Sequence, residues 1–161
     1  MSLATEREAT PVRAVVQRVS RATVRSRVGG GEWEVVREIA AGLVVLVGIT
    51  HGDGAPQAEK LANKIAGVRV FDDGAGVMNL SVADVGGSVL VVSQFTLYGD
   101  TSRGRRPSWS LAARPEVAGP LVDSVVAALR AMGLDVATGR FRTEMRVEIV
   151  NEGPVTLVID I

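Results

Sequence analysis

The segment SQFTLYG, residues 93–99, has the residue types of a substrate-binding strand end. We predict that it ends a long strand, GGSVLVVSQFTLYG, whose last residues become polar as it leaves the core. Alternate side chains of a strand face opposite ways, so Ser93 and Phe95 would share one face, and Gln94 and Thr96 the other. A solvated strand terminus is the simpler interpretation. With no histidine or lysine base nearby in the sequence, a nucleophilic role for Ser93 or Thr96 is physically weak, which favours substrate positioning.

A second candidate segment is RGRRPSW, residues 103–109, which joins three arginines to a tryptophan. It belongs to the long aperiodic stretch of residues 100–115, which we predict to be a surface loop. Guanidinium groups suit phosphate contacts, and an aromatic ring suits stacking on a base. The alternative is a solvated loop that Trp109 anchors to the body of the protein.

The segment NEGPVT, residues 151–156, places a proline between two stretches that otherwise have the pattern of strands. Proline cannot donate to a sheet ladder and is therefore found at edges, bulges and turns. A simple turn between the strand-like runs MRVEIV and VTLVID is one interpretation. The other is a backbone feature in which Gly153-Pro154 forms part of a binding wall.

Other common kinds of site find little support in this composition. The sequence has no cysteine and a single histidine, His51, which lies in a glycine-rich turn typical of a surface residue or a cap. A thiolate site, a disulfide and a zinc cluster are therefore not expected, and we predict no metal and no cofactor. The adjacent acids Asp72 and Asp73 need no explanation beyond turn chemistry.

Composition favours one globular domain with local basic patches. The chain has 161 residues, 47% hydrophobic, and a formal net charge of zero, although 16 of its 18 basic residues are arginine. Arginines crowd residues 13–27 and 103–114. No stretch has the length and apolarity of a membrane span or a signal peptide, so we expect a cytoplasmic protein without membrane contact.

The elements that must position these segments indicate an α+β domain with a curved, barrel-like mixed sheet and two main helices packed on it. Residues 1–12 are expected to be a mobile extension and residues 13–161 a single domain. Helices are predicted over residues 57–67, with Asp53 as a possible N-cap, and from Pro115 to Gly133. GLVVLVGI, residues 42–49, is predicted to be a strand buried on both faces, and EWEVVREIA a hairpin partner of the first strand.

Five segments together carry a family resemblance. They are RAVVQRVSRATV from Arg13, GLVVLVGITHGD from Gly42, LANKIAGVRVFDD from Leu61, MNLSVADVGGSVLVVSQFTLYGDTSRGRRPSWSLAARPE from Met78, and NEGPVTLVID near the end. Over almost everything from Arg13 onward the chain resembles the D-aminoacyl-tRNA deacylase family of the bacterial and eukaryotic type. Its two diagnostic motifs, SQFTLY and NxGPVT, are both intact.

The resemblance implies a homodimer with active sites at the subunit interface, acting on the 3′ end of aminoacyl-tRNA. It implies that the Gly153-Pro154 bond is cis and enters the partner's pocket, where its carbonyl groups reject L-aminoacyl esters. Main-chain N–H groups near Phe95 and Thr96 would be oxyanion contacts. Ser93 and Gln94 would line the pocket, and Arg18 would support the Gly-Pro element. Assistance from the terminal 2′-hydroxyl and activity on mischarged glycyl-tRNA are further implications.

Three alternatives remain open at the level of sequence. Thr96 could be a true nucleophile that forms an acyl intermediate. The protein could be a non-catalytic RNA-binding dimer that uses the loop of residues 103–109. A metal-dependent hydrolase is the weakest of the three, because no cluster of ligand residues is visible in the sequence.

Overall fold

The computed structural model describes residues 11–161, which form a curved mixed sheet, a small hairpin and two α-helices. This confirms the predicted α+β class. In chain order the elements are β1 (Arg13–Arg27), β2 (Glu34–Ile39), β3 (Gly42–Gly48), α1 (Ala55–Gly67), β4 (Phe71–Asp72), β5 (Met78–Leu80), β6 (Ser88–Ser93), a 3-10 helix (Phe95–Tyr98), α2 (Pro115–Ala131), β7 (Asp135–Thr138) and β8 (Glu144–Asp160).

The main sheet has the strand order β2-β1-β3-β6-β7, and β8 pairs with the other edge of β1. Strand β1 runs antiparallel to β2, β3 and β8, whereas the pairs β3–β6 and β6–β7 are parallel. Strands β4 and β5 form a separate two-stranded sheet. The two longest strands, β1 and β8, thus form a ribbon that crosses the whole sheet.

Strand β3 is buried on both faces, as its continuous apolar run predicts. Leu43, Val45 and Val47 face a core that the two helices cover, whereas Val44 belongs to a second core on the other side of the sheet. Strand β6 divides its side chains between the two cores in the same alternating way. Apolar residues on both faces are what a central strand of a parallel pair requires.

The ribbon of β1 and β8 changes its inward face along its length. Ala14 and Val16 of β1 contribute to the helix-side core. In a regular strand all even-numbered residues would share one face, but Ala22 and Val24 contribute to the second core. Between these two pairs the register of β1 against β8 shifts, from Gln17 to Arg21. A bulge bends a strand and increases its twist, so the second half of the ribbon covers the far face of β3 and β6. The sheet is barrel-like for this reason.

Both helices lie where the sequence places them. In α1 the backbone N–H of Gly54 donates to the Gln57 side chain, so Gly54, not Asp53, is the N-cap residue. The carboxylate of Asp53 instead accepts hydrogen bonds from the N–H groups of Thr50 and Val12. Val12 is buried, whereas residues 1–10 of the expected extension lie outside the described residues. No helix within residues 11–161 is long and apolar enough to cross a membrane.

One prediction of local structure is wrong, and one of the two interpretations of NEGPVT is excluded. The strand predicted through SQFTLYG ends at Ser93, and Phe95–Tyr98 form a 3-10 helix, so the side chains of this segment do not alternate. Conversely, MRVEIV and VTLVID are not separated by a turn. They belong to one strand, β8, which passes through Pro154 and pairs with β1 on both sides of it.

Candidate active site

A groove of about 770 Å³ opens at the carboxyl end of β6. Three segments form its walls: the end of β6 with the start of the 3-10 helix, the stretch that leads from Trp109 into α2, and the stretch that leads into β8. The lining residues are Val92, Ser93, Gln94, Phe95, Trp109, Ala112, Ala113, Arg114, Pro115, Ala118, Phe141, Arg142, Thr143, Glu144, Met145 and Val147. The groove is therefore built from segments that are distant in the sequence.

The wall at the end of β6 is fixed by contacts with β3. The N–H of Gln94 donates to the carbonyl of Val47 at 2.8 Å, which extends the parallel pairing by one residue. The chain then turns into the 3-10 helix, which packs closely on Gly48. The first N–H groups of a helix have no acceptor within it, so those of Phe95 and Thr96 lie at the free N-terminal end. The Gln94 amide donates to the Thr96 hydroxyl, and the Phe95 ring is exposed.

The wall that begins at Trp109 is held by the base of the arginine loop, residues 100–108. Asp100 and Ser108 exchange two backbone hydrogen bonds of 2.8 Å, which close this loop. The Trp109 ring packs on Gly99, where a Cβ atom would lie 2.7 Å from the indole. Trp109 also meets Phe95 edge to face, with ring centroids 5.4 Å apart. An exposed aromatic pair therefore joins two walls of the groove.

Gly153 and Pro154 lie in an enlarged bulge of β8. Because Gln17 pairs with Thr156 and Val19 pairs with Asn151, residues 152–155 of β8 stand opposite Arg18 alone. The Gly153-Pro154 peptide bond is cis, as the resemblance implies, and both residues are exposed. A bulge is one of the few places in a sheet where a residue without an N–H is tolerated, which explains how β8 continues through a proline.

The side chains of Asn151 and Arg18 hold this bulge. The Asn151 Nδ2 donates to the carbonyls of Arg18 and Val155, at 2.9 and 3.0 Å, and so closes the bulge on both sides. The Arg18 Nε donates to the carbonyl of Glu152, and its Nη1 to the carbonyl of Val70 at 2.7 Å. The Arg18 side chain is only 12% exposed. It links the bulge to the segment before β4.

The predicted site residues thus fall into two groups. Ser93, Gln94 and Phe95 line the groove, and Thr96 is the next residue, in contact with Gln94. Arg18, Gly153 and Pro154 do not line it. Gly153 is six residues beyond Val147, where β8 leaves the groove, and six residues of extended strand span roughly 20 Å. Within one chain the two motifs are therefore apart.

Several groove residues were not predicted from the sequence. Phe141, Arg142 and Glu144 come from the stretch before and into β8, which carries no recognisable motif. Arg142 has a backbone φ of 63°, an uncommon conformation for a residue other than glycine. Asn151 was part of a recognised motif, but its role in closing the bulge depends on a strand register that the sequence does not reveal.

Three titratable side chains near the site, Tyr98, Glu144 and His51, have defined surroundings. Burial, followed by the nearby Asp53 charge, raises the pKa of Tyr98, so its phenol stays neutral. A hydrogen bond from Arg27 lowers the pKa of Glu144, which therefore remains a carboxylate. The His51 Nε2 donates a 2.7 Å hydrogen bond to the Ser110 carbonyl, outside the groove. Residues 11–161 contain no group of three or more His, Cys, Asp or Glu side chains placed to hold a metal.

Solved structures share this fold. A structure described as c-Myc DNA unwinding element binding protein matches 92% of this chain and 97% of its own, with a TM-score of 0.82 and 38% identity. A probable eukaryotic D-amino acid tRNA deacylase matches with a TM-score of 0.77 at 17% identity, which bears on the fold alone. The curved mixed sheet with two helices is therefore a fold that this chain shares with both structures.

Sequence comparisons identify the family. The family model described as D-Tyr-tRNA(Tyr) deacylase matches residues 15–160. A D-aminoacyl-tRNA deacylase of Symbiobacterium thermophilum is 58% identical over 92% of this chain and 95% of its own. One of Chloroflexus aurantiacus is 57% identical over 92% and 90%. The chain belongs to the D-aminoacyl-tRNA deacylase family, whose members hydrolyse the ester bond of aminoacyl-tRNA.

The closure of the bulge gives a prediction for stability. Asn151→Ala removes the donor of two hydrogen bonds to main-chain carbonyls, so we expect the free energy of unfolding to fall by about 2 kcal/mol. Urea denaturation at a fixed protein concentration measures it. Asn79→Ala is the matched control, because Asn79 is exposed and accepts one 3.3 Å bond from Arg69. A loss in Asn151→Ala no larger than in this control would contradict the role of Asn151.

Proposed function

We propose that this enzyme hydrolyses the ester bond of D-aminoacyl-tRNA and of mischarged glycyl-tRNA in the cytoplasm, and rejects L-aminoacyl-tRNA. The products are the free amino acid and tRNA. One observation carries the proposal: the two motifs present main chain, the N-terminus of a 3-10 helix at the groove and an exposed Gly153-Pro154 bulge. Main-chain atoms can test the geometry of a substrate without testing its side chain.

In this proposal, catalysis comes from positioning. The N–H groups of Phe95 and Thr96 stabilise the oxyanion that forms when water attacks the ester carbonyl, and Ser93 and Gln94 hold the terminal adenosine and the ester. The bond to the 3′ oxygen then breaks, and that oxygen takes a proton as tRNA leaves. The 2′-hydroxyl of the same ribose assists the proton transfer. An aminoacyl ester is already reactive, so orientation and oxyanion stabilisation suffice, and no cofactor takes part.

The proposed rejection of L-aminoacyl groups requires a second copy of the chain. Gly153-Pro154 is exposed and lies roughly 20 Å along β8 from the residues that line the groove of its own chain. We therefore propose a homodimer in which each bulge enters the partner's groove, so that each active site lies at the interface. Arg18 orients the bulge from behind, through its bond to the Glu152 carbonyl.

A main-chain wall explains how one site could accept many amino acids. The carbonyl groups of Gly153 and Pro154 would stand where the side chain of an L-aminoacyl group must lie, and they exclude it by shape. A D-aminoacyl side chain would point away from the wall and meet no restriction. Specificity of this kind comes from rejecting the wrong ligand rather than from extra contacts with the right one.

Hydrolysis of matched substrates tests the activity. We expect D-tyrosyl-tRNA and glycyl-tRNA to be deacylated, and L-tyrosyl-tRNA to react at least about 100-fold more slowly, because exclusion by shape removes the productive pose. The rate with D-tyrosyl-tRNA should be the same in EDTA, which separates this mechanism from a metal-dependent hydrolase. Equal hydrolysis of both tyrosyl esters, or of neither, would refute the proposal.

The wall itself is tested by Gly153→Ala. Gly153 has a φ of 114°, and an added Cβ would meet the Arg18 guanidinium, so the bulge must shift. We expect a folded protein whose D over L preference in deacylation falls at least about tenfold, equivalent to about 1.4 kcal/mol. Gly30→Ala is the control, because Gly30 has a φ of 73° with no atom near its Cβ position. Full selectivity in Gly153→Ala would show that the bulge is not the wall.

The structure bears on the alternative in which Thr96 is a nucleophile. The Thr96 hydroxyl accepts a hydrogen bond from the Gln94 amide, and within residues 11–161 no histidine or lysine hydrogen-bonds to it. An amide cannot act as a general base, so this arrangement favours positioning. We expect Thr96→Ala to keep the single-turnover rate constant for D-tyrosyl-tRNA within about tenfold of that of the parent. A loss beyond about 1,000-fold, together with a trapped acyl-enzyme, would establish the nucleophile instead.

A non-catalytic RNA-binding dimer is the second candidate function. It is favoured by the exposure of residues 103–109, which carry three arginines of the loop and the adjacent Trp109. It requires salt-dependent tRNA binding with no turnover of either tyrosyl ester. The hydrolysis assay above therefore separates the two candidates.

A further inference from the structure

Two groups of arginines in this chain differ in their partners. On the ribbon side, six arginines form ion pairs with carboxylates, and a seventh stacks on Trp33. The pairs are Arg13 with Asp160, Arg18 with Asp72, Arg21 and Arg25 with Glu148, Arg27 with Glu144, and Arg140 with Glu34, and the stacked residue is Arg146. These charges are compensated within the fold.

Around the groove, the arginines are uncompensated. Arg103, Arg105 and Arg106 are exposed on the arginine loop, and Arg114 and Arg142 line the groove itself. None of the five forms an ion pair or a side-chain hydrogen bond with another residue in the part of the chain that the structure describes. The acid that shares this groove, Glu144, is held by two hydrogen bonds from Arg27. We call these five arginines the arginine rim.

The loop that carries three of these arginines is attached firmly at its base. The exchange of hydrogen bonds between Asp100 and Ser108 closes it, and the carbonyls of Ser110 and Leu111 are bound by His51 and Thr50. The N–H of Ala113 donates to the carbonyl of Ile49 at 2.9 Å. Three guanidinium groups are therefore held on a loop whose base is fixed by the segment that follows β3.

We propose that the arginine rim binds the phosphates of the single-stranded 3′ end of tRNA, on the nucleotides that precede the terminal adenosine. This inference rests on the proposed function, which places that adenosine in the groove. Uncompensated guanidinium groups spread over several residues match a chain of successive phosphates. The exposed Phe95–Trp109 pair in the groove walls offers a face on which an unpaired base can stack.

Binding of tRNA that carries no amino acid tests the rim without any need for turnover. The triple variant R103Q/R105Q/R106Q removes three loop charges, and R21Q/R25Q/R37Q is the control with the same change in net charge on β1 and β2. Fluorescence anisotropy with labelled tRNA at several KCl concentrations gives Kd and its salt dependence. Each phosphate contact to a single strand contributes about 0.7 to the slope of log K against log salt.

We expect the loop variant to lower that slope by about 2 and to weaken binding about 100-fold at 0.1 M salt. The control should stay within about threefold of the parent. The lysine variant R103K/R105K/R106K keeps the charge and should retain most of the slope. A loop variant whose Kd and slope equal those of the control would overturn the proposal. Binding to phosphatidylserine vesicles is measured in parallel, and a loop variant that loses vesicle binding while its tRNA binding stays intact would also overturn it.

Kinetics separate this proposal from the proposed function. With D-tyrosyl-tRNA, the loop variant should show a raised KM and a nearly unchanged kcat, whereas hydrolysis of D-tyrosyl-adenosine, which has no phosphate, should not change. If the parent binds tRNA through the rim but hydrolyses neither ester, the proposed function fails and the rim remains. If the parent hydrolyses D-tyrosyl-tRNA and D-tyrosyl-adenosine, and the loop variant hydrolyses both as the parent does, the rim fails and the function remains.

Discussion

The bulge in the ribbon of β1 and β8 is the constraint on which the rest of the structure depends. Opposite Arg18 alone, β8 carries the extra residues 152–155, and the amide of Asn151 bonds to carbonyls on both strands. The register shift sends the second half of the ribbon across the far face of the sheet, where it encloses the second core. The same shift leaves Gly153-Pro154 exposed as bare main chain. The curvature of the sheet and the exposure of this main chain therefore have one origin.

The groove depends on a different feature, the end of strand β6 at Ser93. After Ser93, one further hydrogen bond joins Gln94 to Val47, and the 3-10 helix then packs on Gly48. Since glycine has no side chain, the helix can approach β3 closely and present its free N–H groups at the edge of the groove. Both motifs thus present backbone groups at surfaces, and in both, neighbouring side chains serve mainly to hold that backbone in place.

Much of this fold can be predicted from the sequence, because apolar periodicity determines which faces are buried. The continuous apolar run of β3, the stripe of α1 and Pro115 at the start of α2 all lie where the pattern indicates. The pattern fails where a local preference is overridden by long-range pairing. Pro154 suggests a turn, but β1 supplies partners on both sides of it. The Phe141 to Glu144 wall has no local signature, since its position follows from the path of the ribbon.

One consequence follows from how the arginines are distributed. The formal net charge of the chain is zero, yet five uncompensated arginines lie around one groove, so an equal negative excess must lie elsewhere on the molecule. Such a molecule has little net attraction for a polyanion at long range. Beyond about 10 Å, the Debye length at 0.1 M salt, tRNA would feel almost no pull, and closer in it would be attracted mainly to the arginine rim. Attraction is thereby confined to one region of the surface without the protein becoming a general trap for nucleic acid.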